Sequence, residues 1–328
     1  MKFLIIRFSS IGDIVLTTPV IRCLKQQVPD ATVHFLTKKS FKNILVHNPY
    51  IDKLLLLDES WELMIHELKI EEYDYIIDLH HNLRTWKVKR ELQTKSFSFD
   101  KLNIQKWLFT ALKINRLPDI HIVDRYLATV KNFNVINDGK GLDYFIPEKD
   151  VVKETDIPAS HMYGFIGIVI GAARNTKKLP VYKLKELCAI INYPIILLGG
   201  KEDAENGKAI ASVDAIKIYN ACGKFNLNES ADLLRRSKLV ISHDTGLMHI
   251  AAALQKKIIS VWGNTIPQFG MQPYYGNNQV SNFKFQVSNL SCQPCSKIGY
   301  DICPKKHFKC MDLQDIEKIA KNAIDMIK

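Results

Sequence analysis

At 328 residues, 47% of them hydrophobic, the chain is longer than a single hydrophobic core usually serves, and two domains are expected. A formal charge of +11, from 45 Lys and Arg against 34 Asp and Glu, directs it toward anionic partners. No stretch reaches the roughly 18 consecutive apolar residues of a membrane span. Cys/His finger spacing, an RNP-like aromatic strand and a basic heptad helix are all absent too, so nucleic-acid binding lacks a motif.

The first residues, MKFLIIRFSS, are apolar over too short a run for a signal peptide and carry no small-residue cleavage site, so a cytoplasmic protein is expected. Phe3–Ile6 is a strand by its uniform apolar character. SSIGD follows, then apolar residues at helical spacing from Ile14 to Leu24, with Pro19 predicting a kink or a late helix start. Segments 32–36, 53–57 and 75–79 are further strands separated by helix-length stretches. This βαβ rhythm predicts a parallel sheet covered on both faces.

From Leu83 to Arg116 basic residues, Arg84, Lys87, Lys106 and Lys113 among them, interleave with Trp86, Phe97, Phe99, Trp107 and Phe109. Such a segment can meet a membrane headgroup layer or a phosphorylated lipid, or it can be a solvated insert with its aromatics turned inward. Pro147, Pro158 and mixed polar residues then place a domain boundary within 145–163. A second βα series follows, with strands at 166–170, 195–198, 239–242 and 258–261. Near the end, Asp312 and Asp315 are expected as N-cap and N3 acid of a helix whose apolar stripe runs Leu313, Ile316, Ala320, Ala323, Ile327.

Ligands of open parallel sheets bind beyond the carboxyl ends of the strands, so the loops after the strands hold the candidate residues. After the first strand, Gly12 permits a tight turn and Asp13 lies at a helix start, where a carboxylate is either a cap or a base. After the strand at 166–170, Arg174, Lys177 and Lys178 precede Pro180 at a predicted helix start, a fit for a diphosphate. After the strand at 239–242 comes HDTGLMHIAAAL, in which Thr245, Gly246 and Leu247 offer N–H groups at a helix N-terminus and Gly246 leaves room for a phosphate. A P-loop and a G-x-G-x-x-G are both absent.

Three of the seven cysteines, Cys23, Cys188 and Cys222, read as buried thiols. Cys292, Cys295, Cys303 and Cys310, with His307, form either a zinc pattern or an ordinary loop of reduced thiols.

Taken together, SSIGDIVLTTPVIRCLK at 9–25, GAARNTKKLP at 171–180, HDTGLMHIAAAL at 243–254 and VWGNTIPQFG at 261–270 resemble the lipopolysaccharide heptosyltransferases of glycosyltransferase family 9. The resemblance implies a GT-B fold, two Rossmann-like domains with parallel sheets facing across a cleft. It implies an acceptor domain over 1–155, a donor domain over 156–310, and a final helix over 311–328 that packs back toward the first domain. The implied reaction is inverting, metal-independent transfer of heptose from ADP-L-glycero-D-manno-heptose to a Kdo or heptose of the lipopolysaccharide inner core. No cofactor is implied.

By the same resemblance Asp13 is the catalytic carboxylate, and Thr245 and Gly246 contact the donor phosphates with Asp244 and His249 beside them. Lys177 is the pyrophosphate lysine, supported by Arg174. Asp203 holds the ribose and Phe225 the adenine. Ser10, Gly12, Arg84 and Lys87 are candidate acceptor contacts. Where the family often has tryptophan, this chain has Leu179, which points to a relative with another nucleotide-sugar as the competing enzyme reading. The thiol stretch also resembles one common in the family, which favours a structural role over zinc. The expected protein is a monomer without nucleic-acid partners, peripheral to the cytoplasmic face of the inner membrane. A non-catalytic nucleotide- or nucleic-acid-binding module is the non-enzyme alternative, and it leaves Asp13 without a role.

Overall fold

The computed structural model describes residues 1–57, 60–277 and 283–328. They form two compact units, Met1–Lys101 with Ile120–Phe145, and Leu102–Asp119 with Ile146–Lys328. The division therefore falls at 145/146, earlier than 155. Arg22 explains where: its guanidinium reaches Asp138 at 2.7 Å, the Gly141 carbonyl at 2.8 Å and the Asp143 carboxylate, holding 138–143 to the first unit. Val152 N donates to Asp232 (3.0 Å) and Asp150 accepts from Asn228 (2.8 Å), which holds the next residues to the second. Residues 102–119 belong to the second unit although they lie within the first half of the sequence.

The first unit is built on five parallel strands, β1 (Lys2–Ile6), β2 (Thr32–Lys38), β3 (Lys53–Leu57), β4 (Tyr75–Asp78) and β5 (Ser96–Ser98), in the order β3-β2-β1-β4-β5. Ile5 of β1 lies level with Phe35 of β2 and Ile77 of β4. Both faces of the sheet are covered, which is why β1 is apolar at consecutive positions rather than alternate ones. Leu4, Ile6, Leu36, Leu55 and Ile76 pack with the helical residues Met64, Ile65, Leu68 and Val88 in one cluster. Pro19 acts as expected: a short helix, Ile11–Val15, stops, and a second, Thr18–Gln27, starts with the proline in its first turn. The edge strand β5 was not predicted, because its three residues sit in the basic segment without apolar periodicity.

The second unit carries six parallel strands, β6 (Ile166–Val169), β7 (Ile195–Leu198), β8 (Ile218–Asn220), β9 (Leu239–His243), β10 (Ile258–Trp262) and β11 (Phe283–Val287), ordered β11-β10-β9-β6-β7-β8. The edge strands β8 and β11 were also unpredicted. In each unit the winding direction changes once, between β1 and β4 and between β6 and β9. The loops after those four strands lie at the switch points where ligands of such sheets bind. The two units are Rossmann-like α/β domains of the GT-B class.

The final helix, Ile316–Ile327, starts one residue after Asp315, which is its N-cap and accepts from Lys318 N at 2.9 Å. Asp312 is not the cap: it ends a short preceding turn and accepts the Tyr182 hydroxyl at 2.7 Å. Leu313 precedes the helix and is exposed rather than part of its stripe. Ile316, Ile319, Ala320, Ala323 and Met326 bury themselves in the core of the second unit, beside Leu184, Leu187 and Ile259.

Candidate functional site

In the first unit the loop after β1 carries Asp13 into a fixed setting. Ser10 caps the helix Ile11–Val15, and its N–H and hydroxyl both donate to Asp13 Oδ2, at 3.2 and 2.7 Å. This is a capping box, the bland role foreseen for Asp13. The carboxylate has a further partner that a cap does not need. Arg7 Nη2 lies 2.8 Å from Asp13 Oδ1, while the same guanidinium donates to the Ser9 carbonyl (2.6 Å), the Leu79 carbonyl (2.6 Å) and the Tyr126 hydroxyl (3.1 Å). Burial opposes the charge of Arg7, but Asp13 and Tyr126 outweigh it and hold the group protonated. Asp13 thus presents an oriented carboxylate at the switch point with a fifth of its side chain exposed.

The loop after β4 adds His80, and the helix after it, Leu83–Leu92, adds Arg84 and Lys87. Asp78, fully buried at the end of β4, accepts from the N–H groups of His80 (3.1 Å) and His81 (2.6 Å) and pairs with Lys89 at 2.9 Å. Although burial pushes the Asp78 carboxyl up, those donors bring it below the usual range. Arg84 lies over the Phe8 ring, 5.9 Å from its centre, and Arg84 and Lys87 are exposed. Burial and the charge of Arg7 push His80 down to about 4, so it is a neutral imidazole at this site.

In the second unit the loops after β6, β9 and β10 meet. Lys177, in a short turn, places its Nζ 2.5 Å from Asp244 Oδ2, and Thr265 Oγ1 donates to the same oxygen at 3.1 Å. Thr245 caps the helix Gly246–Ala253, accepting from Met248 N at 3.4 Å. A side chain at Gly263 would meet the Thr176 carbonyl at 2.6 Å, so only glycine lets β10 lie this close to the basic loop. The Thr176 hydroxyl and N–H in turn both donate to the Tyr300 carbonyl, at 2.7 and 3.0 Å. The result is an ammonium, a carboxylate, a hydroxyl and a helix N-terminus at one end of the sheet, a setting for a diphosphate.

Several expected residues have other duties. Asp203, 2% exposed, spends Oδ1 on Lys178 (2.9 Å) and Oδ2 on Gly200 N (3.1 Å), and a side chain at Gly171 would strike it at 2.3 Å. It braces the loops after β6 and β7 and is not presented to a ribose. Arg174 pairs with Asp301 at 2.9 Å on the surface, and His249 is buried within its helix. Phe225 is half-buried in the turn after β8. Leu179, the departure from the family pattern, points into the core of the unit, so the position gives no reading of the sugar.

Sequence reasoning missed Arg7, Asp78, His80, His243, Asn264 and Thr265. His243 is fully enclosed, and its Nε2 accepts from Leu179 N at 2.9 Å, tying β9 to the end of the lysine loop. Burial, then the charge of Lys178, push it down to about 4. Asn264 is 2% exposed, and neither side-chain polar atom has a partner among the described residues. Asn264 and Thr265 stand in the quoted VWGNTIPQFG stretch, where their polarity inside an apolar run was an available signal.

The neutral histidines have a measurable consequence. In the unfolded chain His80 and His243 take up protons below about pH 6.5, which the folded state refuses until about pH 4. The unfolded state therefore binds more protons across that interval, and stability falls as the pH drops through it. Denaturant midpoints at about pH 7 and about pH 5 should differ, and His243→Gln should shrink the difference. A midpoint unchanged across the interval contradicts the buried neutral assignment.

All seven cysteines are free thiols. Burial and neighbouring thiols push Cys295 up to about 11 and Cys310 up to about 12. Among the described residues no three His, Cys, Asp or Glu side chains are grouped to hold a metal ion. The loop has a mechanical role: Cys295 N donates to the Asn264 carbonyl at 3.0 Å and Gln293 Nε2 to that of Gly263, which fastens it to the end of β10.

The family model described as glycosyltransferase family 9 (heptosyltransferase) matches residues 61–302. The chain belongs to glycosyltransferase family 9. Among its relatives, lipopolysaccharide heptosyltransferase 1 of Campylobacter coli is 28% identical, over 81% of this chain and 84% of that protein. Lipooligosaccharide heptosyltransferase 2 of Haemophilus influenzae is 26% identical, over 82% and 85%. In fold, the family 9 member matches the Escherichia coli ADP-heptose lipopolysaccharide heptosyltransferase II with a TM-score of 0.75 at 17% identity, over 100% and 98% of the two chains. A family 9 glycosyltransferase from Veillonella parvula matches at 0.76 and 20%, over 99% and 97%. This family 9 chain is thus an enzyme, a glycosyltransferase, and the non-catalytic alternative falls away.

Proposed function

We propose that the chain transfers heptose from ADP-L-glycero-D-manno-heptose to the lipopolysaccharide inner core, with inversion at the anomeric carbon. The second unit is the donor domain and the first the acceptor domain. The observation that carries this reading is the meeting of Lys177, Asp244, Thr265 and the N-terminus of the helix Gly246–Ala253 at the carboxyl end of one sheet.

Asp13 takes the proton of the acceptor hydroxyl as its oxygen attacks the anomeric carbon, and the bond from that carbon to the diphosphate oxygen breaks. The negative charge leaving on ADP is met by the Lys177 ammonium and the N–H groups of Gly246 and Leu247, with Thr245 shaping the turn. These fixed groups do what a divalent cation does in other phosphate-transfer sites. Asp244 holds Lys177 in place before the donor arrives and yields it to the phosphates. Phe225 is assigned to the adenine. The carboxamide of Asn264, one residue from Thr265, is assigned to hydroxyls of the transferred sugar, since a buried amide without partners costs on the order of 1–3 kcal/mol until it is satisfied. Ser10, Gly12, Arg84 and Lys87 receive the acidic acceptor.

The acceptor is a glycolipid, so the enzyme works as a peripheral protein on the cytoplasmic face of the inner membrane. No helix among the described residues is long and apolar enough to cross a membrane.

Calorimetric titration with a panel of ADP- and UDP-sugars tests the donor. ADP-heptose should bind tightest, and Asn264→Ala should weaken ADP-heptose while sparing ADP. Equal or tighter binding of a UDP-sugar defeats the assignment.

A further inference from the structure

Residues 101–118, KLNIQKWLFTALKINRLP, contain Lys101, Lys106, Lys113 and Arg116 and not one carboxylate. They form a helix, Asn103–Trp107, continued by a wider π turn, Leu108–Leu112, and then by irregular chain. The segment is fastened to the second unit. Phe109 meets Phe269 edge-on with ring centres 6.4 Å apart, and Lys106 lies 5.8 Å from the centre of the same ring. Lys113 donates to the carbonyls of Cys292 and Pro294 at 2.8 and 2.7 Å.

A segment held this firmly would be expected to bury its apolar side chains, yet it does not. Ile104 is 74% exposed, Trp107 and Leu112 each 54%, and Ile114 45%. Single exposed hydrophobic residues need no explanation, but several on one short element mark an interaction surface. The chemistry of the partner follows from what stands among them. Cations with no interspersed acid complement a uniformly negative surface. A tryptophan with leucine and isoleucine beside those cations matches the interfacial layer of a bilayer, where an apolar body is buried and the basic groups stay at headgroup level. A protein partner of mixed charge would not favour this pattern.

We propose that residues 102–118 are the element by which the second unit rests on an anionic membrane, with Ile104, Trp107, Leu112 and Ile114 entering the interface and Lys106 and Arg116 meeting acidic headgroups. This deepens the proposed function and rests on it, because a glycolipid acceptor keeps its sugar at that same surface. One acidic-lipid contact of this size is weak and reversible, as a peripheral enzyme that must move between acceptors requires.

The test is sedimentation of the full chain with vesicles of phosphatidylethanolamine and phosphatidylglycerol, against vesicles of phosphatidylcholine alone. The wild type should partition onto the anionic vesicles and come off as salt is raised. Ile104→Ser with Trp107→Ser, and separately Lys106→Glu with Arg116→Glu, should each reduce partitioning roughly tenfold or more. Both variants should melt normally and keep wild-type turnover on a soluble, lipid-free acceptor. Equal binding to neutral vesicles, or unchanged partitioning in both variants, overturns the proposal. So does loss of lipid-free turnover in a normally melting variant, which would place the segment in the acceptor site. The vesicle measurement needs no donor, so failure of heptose transfer leaves it readable and counts only against the proposed reaction.

Discussion

Asp13→Asn should lower turnover by roughly 10²- to 10⁴-fold while the affinity for ADP barely moves. A cap alone would not behave this way, since asparagine and aspartate cap helices about equally well. The structure sharpens the experiment. Asp13 is also the anionic partner of the buried Arg7, at 2.8 Å, and the asparagine removes that charge from a guanidinium whose other hydrogen bonds go to the Ser9 and Leu79 carbonyls and the Tyr126 hydroxyl. A stability loss on the order of a few kcal/mol is therefore expected as well. Thermal unfolding and ADP titration on the same preparation separate the two effects. Folded protein that binds ADP normally but does not turn over supports the base. Near-normal turnover with the correct acceptor removes it.

Lys177→Ala should be nearly as severe, costing roughly 10²- to 10³-fold in the single-turnover rate at saturating donor. Among the described residues the ammonium is the cation bonded to Asp244, and its removal leaves that carboxylate with the Thr265 hydroxyl. The expected split is a large fall in rate with a smaller fall in donor affinity, because the charge to be met is greatest once the diphosphate is leaving. A change confined to donor affinity would make Lys177 a binding residue alone. Lys178→Ala offers the contrast. Its partner is Asp203, so its loss should loosen the loop and lower the melting temperature before it slows the chemistry.

The contrast between those two neighbouring lysines shows how far residues can be read without coordinates. The parallel sheets were legible because strands covered on both faces must be apolar at every position, as in Phe3–Ile6 and Ile195–Leu198. The edge strands β5, β8 and β11 were not, because a short or partly exposed edge carries no such signal. The loops that carry the candidate residues were legible because topology dictates where ligands of such sheets bind. What each side chain in a loop bonds to was not: Asp203 and Lys178 look as available as Asp244 and Lys177, and only their partners tell them apart. Arg7 was invisible for a related reason, since an arginine at the end of a strand reads as solvent-facing until the carbonyls it fills are known. The final helix shows the same limit. Its stripe, with Ile316, Ala320 and Ala323, announced that it packs, but periodicity does not name the surface it packs on.

The most direct test is to incubate the enzyme with ADP-heptose and lipid-free inner-core acceptors ending in Kdo or in heptose, and to identify the product. The account predicts one heptose added per ADP released, with inverted anomeric configuration, and loss of that product in Asp13→Asn. Turnover of a UDP-sugar in place of ADP-heptose, or a product with retained configuration, would contradict it.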